Sequence, residues 1–237
     1  MKTLLEQADR VLIGGHRGCS CEYPENSIAA MAEGRRQGAD YLEIDIQLTK
    51  DRVPVVFHDV RLETKTDLSG YVHDFDLQEL KDHVPGLCTL KEAMEWGCLR
   101  DAYFALELKS VPIDMHEINK ELIDLMLPVI KTTGMIRQVF LFGADYQILR
   151  YAKEKNPKLQ IGLIVPFVPA DPVELMRSMD ALVYLSYIYN MTPEIIRDLK
   201  EHGYYVSGAI LREEKWVRRA VELGVTMFES DYPGKAI

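Results

Sequence analysis

The sequence predicts one α/β domain, spanning residues 1–237, that folds as a closed (β/α)8 barrel. Three observations support this fold class. Eight short apolar runs alternate along the chain with amphipathic stretches of helical period. The length of 237 residues is usual for a single barrel of this kind, and a hydrophobic content of 47% is enough for a large core. The alternative is an open doubly wound sheet, which more often has about five or six strands.

The predicted elements follow one another as units of one strand and one helix. The strands are expected at residues 11–15, 41–46, 103–108, 138–142, 160–164, 181–186, 205–210 and 225–228. The helices are expected in the stretches SIAAMAEGRRQ, TLKEAMEWG, EINKELIDLMLPVIKTT, DYQILRYAKEK, PVELMRSM, PEIIRDLKEHG and EEKWVRRAVELG, several of which end at a capping glycine. The segment of residues 59–88 has no regular period and is too short for a separate domain. Right-handed crossovers between such units close a parallel barrel.

Composition and charge exclude several classes of protein. A formal net charge of −9 argues against binding to nucleic acid, which favours a basic surface. The first residues, MKTLLEQADR, carry too much charge and too short an apolar run for a signal peptide. No later run reaches the ~18 apolar residues of a membrane span. We therefore expect a soluble, cytoplasmic protein without a membrane-spanning segment.

The four cysteines lack the spacing of a metal-binding motif. They are Cys19, Cys21, Cys88 and Cys98, and no two of them form a C-x-x-C pair. Free thiols are therefore expected instead of a zinc site.

A loop of unusual composition, GGHRGCSCEYPEN, follows the first predicted strand at residues 14–26. Its glycines relax the backbone. His16 offers an imidazole, a side chain that can act as an acid or a base, and Arg17 carries a permanent charge on a planar group of donors. Such a mixture suits neither a core nor a helix, and it is typical of an active-site loop.

Acidic side chains occupy inward positions of the second and third predicted strands. In YLEIDIQL, Glu43 and Asp45 are two residues apart and share one face of the strand, and Glu107 and Lys109 do so in YFALELK. Unpaired carboxylates in a partly dry site cost several kcal/mol each, and a cluster without thiolates suits Mg²⁺ or Ca²⁺. The sequence therefore predicts a divalent-metal site at the mouth of the barrel. A structural network of salt bridges is the alternative.

A second histidine, His58, follows the apolar run VPVVF. Taken alone, it is best interpreted as a loop histidine held by the neighbouring Asp59. Together with His16 beside a metal held by carboxylates, it makes an acid and a base.

These motifs and their order resemble the signature of the glycerophosphodiester phosphodiesterases. The similar segments are HRG at 16–18, PENS at 24–27, GADYLEIDIQLTKDRVPVVFHD at 38–59 and SGYVHDFDLQELK at 69–81, followed by LCTLKEAME and FALELK. The resemblance covers nearly all of residues 11–109. Beyond residue 110 it rests mainly on ELGVTMFESDYP at 222–233. The fold of this family is a (β/α)8 barrel, in agreement with the strand count.

The resemblance implies a reaction and a role for each site residue. It implies the metal-dependent hydrolysis of a glycerophosphodiester to an alcohol and glycerol 3-phosphate. The roles are acid and base for His16 and His58, binding of one Mg²⁺ or Ca²⁺ for Glu43, Asp45 and Glu107, and binding of the phosphate for Arg17 and Lys109. Asn26 is interpreted as the N-cap of the helix that begins in SIAAM. Cys19 and Cys21 are interpreted as incidental.

Three positions depart from the family pattern. Thr64 stands where an arginine is common, with Lys65 as a substitute, and Gly143 and Gly208 stand where strands four and seven carry larger residues. We expect the two glycines to open the pocket beside the phosphate to larger alcohols. The alternative is that they only allow close packing within the sheet.

Two other functions remain open from the sequence. The first is a barrel that binds phosphodiesters without catalysis, although binding alone requires no acid and base. The second is a lyase-type phospholipase barrel that forms a cyclic phosphate with the same histidines and metal.

Overall fold

The computed structural model describes residues 10–209 and 211–235, and its sheet forms the predicted closed barrel. The strands are β1 (Leu12–Gly15), β2 (Tyr41–Leu48), β3 (Pro54–Val56), β4 (Phe104–Leu108), β5 (Val139–Gly143), β6 (Ile161–Ile164), β7 (Val183–Tyr187), β8 (Tyr205–Ala209) and β9 (Met227–Ser230). Eight of them run parallel, and the pairing of β1 with both β9 and β2 closes the ring. The ninth, β3, pairs antiparallel with the last three residues of β2. The predicted barrel is therefore confirmed, with β3 as an addition.

The described residues also form eight α-helices. They are α1 (Ile28–Arg36), α2 (Leu77–His83), α3 (Leu90–Cys98), α4 (His116–Thr132), α5 (Tyr146–Lys155), α6 (Pro172–Ser178), α7 (Pro193–Glu201) and α8 (Glu214–Leu223). Seven of them lie in the predicted helical stretches. The exception is α2, in the segment predicted to be irregular, where Asp76 and Glu79 form a capping box at its start. The capping box is therefore enough to start the short helix α2, although the segment has no long apolar period.

The last strand begins two residues later than predicted. Residues 225–228 are expected as a strand, whereas β9 begins at Met227. Gly224 ends α8 with a left-handed backbone (φ +82°), and the next two residues complete the connection before the strand begins. The shift brings Glu229 into the strand and Asp231 just beyond it.

Some expectations concern residues outside the described part of the chain. Ile210, the last residue of the predicted strand at 205–210, is one of them, as are residues 1–9 of the segment MKTLLEQADR. Among the described residues, none of the helices combines the length and apolar character needed to cross a membrane. The four cysteines are free thiols.

Alternation along the strands separates an apolar outer layer from a polar barrel mouth. On β2, Leu42, Ile44 and Ile46 belong to the core shared with the helices, so Glu43 and Asp45 face the interior. The lower interior is filled by the apolar side chains of Leu12, Tyr41, Ala105, Phe140, Phe142, Val183, Leu185 and Met227. Polar groups therefore collect above this layer, at the carboxyl ends of the strands, where barrel enzymes hold their active sites.

Candidate active site

A cavity of about 350 Å³ opens at the carboxyl ends of the strands. Its titratable acidic, basic and imidazole lining consists of His16, Arg17, His58, Glu107, Lys109 and Glu229. The strand ends therefore bring five of the seven predicted site residues to one cavity. The other two, Glu43 and Asp45, lie buried directly behind its polar side.

The three predicted metal ligands form one cluster. One oxygen from each of Glu43, Asp45 and Glu107 lies within 4.8 Å of the other two. Glu43 and Asp45 are 1% and 0% exposed. The second oxygen of Glu43, Oε1, is buried without a hydrogen-bond partner among the described residues. A buried acceptor of this kind is costly unless a cation or a donor satisfies it, so the donor set fits a hard divalent ion.

Without an ion, the cluster resists ionisation. Burial, reinforced by the charge of Asp45, raises the pKa of Glu43 well above its usual range. The same two causes raise the pKa of Glu107 to about 7. Burial and the charges of Glu107 and Asp45 raise the pKa of Glu229 to about 8. Each of these shifts indicates a site with too few positive charges.

Within the cluster, Asp45 is the carboxylate whose negative charge is best balanced by neighbouring donors and cations. Lys109 Nζ donates to Asp45 Oδ1 (3.1 Å) and to Glu107 Oε1 (2.7 Å), and Asn26 Nδ2 donates to Asp45 Oδ2 (2.8 Å). Burial opposes ionisation of Asp45, but the charges of Lys109 and His58 and the bond from Asn26 outweigh it and lower its pKa. The salt-bridge network that the sequence left open is therefore present, yet it satisfies only part of the cluster.

We expect the metal-free protein to lose stability as the pH rises from about 5 to 8. Glu107, with a folded pKa of about 7 against a usual value of 4.5, holds a proton that the unfolded chain has already released over this range. Each such carboxyl lowers the free energy of unfolding by up to about 1.4 kcal/mol per pH unit. Burial lowers the pKa of His58, so the contribution of this residue to the free energy of unfolding increases with pH and offsets part of the decline.

Urea unfolding at several pH values, with and without Mg²⁺, measures this effect. Saturating metal and the Glu107→Gln substitution should each flatten the decline. A metal-free stability that stays level or increases over this range would contradict the assignment of raised pKa values.

The HRG motif owes its conformation to close packing. Arg17 has a left-handed backbone (φ +53°), and its N–H donates to Glu43 Oε2 (2.8 Å). The guanidinium donates to Glu25 Oε2 (3.0 Å), and its buried Nε has no hydrogen-bond partner among the described residues. At Gly18 (φ +87°) a Cβ would lie 2.5 Å from the Ala30 carbonyl carbon. The tight turn thus aims a charged donor at the cavity.

His16 is oriented by a residue that the sequence prediction missed. Its Nδ1 lies 2.6 Å from Asp231 Oδ1, and its Nε2 lies 4.0 Å from Glu43 Oε2. Arg212 Nε donates to Asp231 Oδ2 (2.8 Å), and Ser20 Oγ donates to Oδ1 (3.1 Å). Burial opposes ionisation of Asp231, but His16 and Arg212 lower its pKa strongly. An ionised Asp231 keeps the proton on Nδ1 and leaves Nε2 directed at the carboxylates.

We expect Asp231→Asn to lower kcat by about 10²-fold or more, because an amide no longer fixes the tautomer of His16 or stabilises its protonated form. Steady-state kinetics at saturating substrate would measure the loss. The matched control is Ser20→Ala, which removes only one hydrogen bond from an uncharged donor to the same carboxylate and should have a much smaller effect. An unchanged kcat in the Asp231→Asn variant would show that His16 takes no part in the proton transfers.

His58 is held in a similar way. Its Nδ1 lies 2.6 Å from Asp59 Oδ1, and Thr64 Oγ1 donates to Asp59 Oδ2 (2.5 Å). Burial, together with the charge of Lys109, lowers the pKa of His58 despite the nearby Asp45. Thr64, one of the departures from the family pattern, thus supports the histidine. Lys65 binds Glu25 (3.3 Å) and does not line the cavity.

Two structural expectations are wrong. Asn26 is not the N-cap of α1: Ser27 Oγ accepts from the Ala30 N–H, while Asn26 has a left-handed backbone (φ +61°) and its amide binds Asp45. The glycines do not open the pocket. A Cβ at Gly143 would lie 2.9 Å from the Leu108 carbonyl oxygen, and one at Gly208 would meet the outer layer, with Ile188 Cδ1 at 3.5 Å.

The inward positions next to these glycines form the apolar side of the cavity. Alternation along a strand turns Gly143 and Gly208 outward, so that their neighbours point inward. The apolar lining includes Phe142, Ala144, Ile164, Leu185, Tyr187 and Ala209. Tyr187 lies at the mouth, 43% exposed, and its ring stacks on that of Tyr189 at 5.1 Å. One side of the cavity is therefore charged and the other is apolar.

A closed parallel barrel with acidic, basic and imidazole groups gathered at the carboxyl ends of its strands is a (β/α)8-barrel enzyme. Glycine, histidine and carboxylate positions in the first half of the chain narrow this class further. The chain belongs to the glycerophosphoryl diester phosphodiesterase family, whose sequence model matches residues 16–235.

Individual relatives agree with this family over almost the whole chain. A glycerophosphodiester phosphodiesterase of Caldanaerobacter subterraneus subsp. tengcongensis is 29% identical over 94% of this chain and 95% of its own. A human lysophospholipase D is 27% identical over 93% of this chain and 83% of its own. The structure of an Oleispira antarctica phosphodiesterase in complex with the product sn-glycerol-3-phosphate is 26% identical, with a TM-score of 0.86 over 95% of this chain and 94% of its own.

Proposed function

We propose that this protein hydrolyses glycerophosphodiesters to an alcohol and glycerol 3-phosphate, with a divalent cation and two histidines. One observation carries the proposal: a carboxylate cluster with an unsatisfied buried oxygen and two histidines, each held through Nδ1 by a carboxylate, meet at one cavity. The product complex of the Oleispira antarctica relative supports the substrate class.

Glu43, Asp45 and Glu107 hold the cation in this proposal. Oxygen ligands alone favour Mg²⁺ or Ca²⁺ over softer metals. When bound, the ion polarises the phosphoryl group and stabilises the negative charge that grows in the transition state. Lys109 donates to Asp45 and Glu107 in the metal-free site, and with a cation held by these carboxylates its ammonium would be available to the substrate.

Arg17 and Lys109 bind the phosphate in this proposal. Both line the cavity beside the carboxylates, and both are largely buried, with side chains 13% exposed. A phosphodiester gains negative charge as the nucleophile adds, so two fixed cations in a partly dry site stabilise the transition state more than the ground state.

His16 and His58 carry the protons. One histidine accepts the proton of the attacking water through Nε2, and the other donates a proton to the departing alkoxide. Asp231 and Asp59 each keep the Nδ1 side of a ring occupied, so that Nε2 is the reactive nitrogen of both. A barrel that only binds phosphodiesters needs neither histidine nor the carboxylates that orient them.

A direct test uses a panel of glycerophosphodiesters with and without EDTA. Release of glycerol 3-phosphate would be measured, and phosphorus NMR would follow the products. Metal-dependent formation of glycerol 3-phosphate supports hydrolysis. Accumulation of a cyclic phosphate would instead identify the lyase-type reaction, and binding without turnover would identify a binding protein.

A second candidate substrate class is lysophospholipids. Tyr187 lines the apolar side of the cavity and is exposed, and the segments that follow β4, β6 and β7 carry four more exposed apolar side chains, those of Ile113, Phe167, Val168 and Tyr189. Exposed apolar side chains at this end of the barrel suit an acyl chain, and a human relative is a lysophospholipase D. Comparing kcat/KM for lysophosphatidylcholine and glycerophosphocholine separates the two candidates.

A further inference from the structure

A fourth carboxylate, Glu229, faces the cavity without belonging to the metal cluster. It is 4% exposed, lies on β9 and lines the cavity. Among the described residues, the acidic group whose oxygens gather within 4.8 Å contains Glu43, Asp45 and Glu107 but not Glu229. No hydrogen bond within the described part of the chain engages its carboxylate. A buried carboxylate without a donor calls for a ligand that supplies positive charge or protons.

The neighbours of Glu229 in the sheet leave one of its sides open. On β1 it pairs with Gly14, where the ring of Tyr41 occupies the space: a Cβ at Gly14 would lie 2.4 Å from Tyr41 Cζ. On the other side, the register of β8 and β9 places Ala209 beside Glu229, and Tyr187 pairs with Ala209 one strand further. Glu229 and Tyr187 are therefore two strand spacings apart, roughly 10 Å, with only a methyl group between them.

The charges that line the cavity favour a cation in the space between Glu229 and Tyr187, which we call the gap. Four carboxylates, those of Glu43, Asp45, Glu107 and Glu229, face two permanent cations, Arg17 and Lys109. One divalent ion balances this excess. The diester phosphate then adds one negative charge. An alcohol with a positive charge would neutralise it, whereas an anionic alcohol would raise the added charge to two. Because the site is largely shielded from water, this balance has a large effect on binding.

The walls of the gap distinguish an ammonium from a polyol. Phe142, Ile164, Leu185 and Tyr187 are apolar or aromatic, so a polyol would find few hydrogen-bond partners there. An ammonium, and above all a methylated one, needs a counter-charge, apolar contacts and an aromatic face. The stack of Tyr187 on Tyr189 fixes such a face at the mouth.

We propose that Glu229 is a specificity-determining residue that selects phosphodiesters whose alcohol carries an ammonium group. The inference rests on the proposed function for its substrate class. It assigns to Glu229 a role separate from the metal cluster, and it places the charged alcohol between Glu229 and Tyr187.

A pair of isosteric probes tests the inference without turnover. Phosphocholine and 3,3-dimethylbutyl phosphate have the same shape and differ in the charge of one atom. Calorimetry on the Mg²⁺-loaded protein should give at least tenfold tighter binding of phosphocholine. Glu229→Gln should abolish this preference, and Glu229→Asp, which keeps the charge, should retain part of it.

The matched control is Glu213→Gln, which changes net charge equally. Glu213 follows β8 at the same end of the barrel, but its side chain is 61% exposed and does not line the cavity. This variant should keep the full preference. Equal binding of the two probes by the wild type, or a preference that survives Glu229→Gln, would overturn the inference.

Kinetics and metal binding complete the test. The ratio of kcat/KM for glycerophosphocholine to that for glycerophosphoglycerol should fall at least tenfold in Glu229→Gln, while Mg²⁺ affinity stays within about twofold of the wild type. A large loss of Mg²⁺ affinity would make Glu229 a metal ligand and overturn the inference. A wild type that hydrolyses no diester would refute the proposed function, whereas the calorimetric probes would still report on Glu229.

Discussion

Removal of divalent cations is expected to abolish diester hydrolysis. Three carboxylates share one buried cluster, and Lys109 satisfies only part of it. Without an ion the site lacks the positive charge that a phosphoryl transition state requires, and Glu43 and Glu107 tend to retain protons. Activity should return on addition of Mg²⁺ or Ca²⁺, and the more effective ion identifies the better fit.

Glu43→Gln is the sharpest variant for this prediction. It keeps the shape of the side chain but removes the charge next to the unsatisfied oxygen, so metal affinity should fall more than about tenfold. Glu154→Gln makes the same chemical change on the exposed surface of α5 and should have no effect. Full activity in protein shown by elemental analysis to be metal-free would refute the metal site.

Replacement of either histidine by alanine should reduce hydrolysis of natural diesters by about 10² to 10⁴-fold. The two variants should differ in their response to the leaving group. The histidine that protonates the alkoxide becomes dispensable when the leaving group is a phenolate, which departs without a proton. Its alanine variant should therefore recover on an activated aryl ester, whereas the other variant should remain slow.

Parallel kinetics on the two substrates assign the roles of His16 and His58. His83→Ala is a suitable control, because this exposed histidine pairs with Asp67 away from the cavity. If both active-site variants lost the same factor on both substrates, divided roles would be wrong, and the histidines would act by electrostatic positioning instead.

The sequence was sufficient for the barrel and for the composition of the candidate site because both depend on local patterns. Apolar runs and helical periods define the elements, and alternation places Glu43 and Asp45 on one face of β2. Residues whose role depends on partners distant in sequence were harder to predict. Asp231 acts on His16 across the sheet, and Asn26 turns toward Asp45 because its backbone is left-handed.

The errors on glycine and on β9 have a common physical origin. Adjacent residues of a strand face opposite sides of the sheet, so an error of one residue in the predicted position reverses the side on which a side chain is expected. Gly143 and Gly208 face outward for this reason. Because the last strand was predicted to end at residue 228, Glu229 and Asp231 were not recognised as site residues. Met227, Glu229 and Asp231 nevertheless show the two-residue period of a strand.

The seam between the first and last barrel strands makes the orientation of His16 depend on the strand that is synthesised last in the barrel. The ribosome delivers β1 and the proposed metal ligands first, since they all precede residue 110, but it delivers Asp231 only after β9. Until β9 has emerged and paired with β1, the ring is open and His16 lacks the carboxylate that orients it. A chain interrupted before β9 would therefore contain the proposed metal ligands but lack the carboxylate that orients His16.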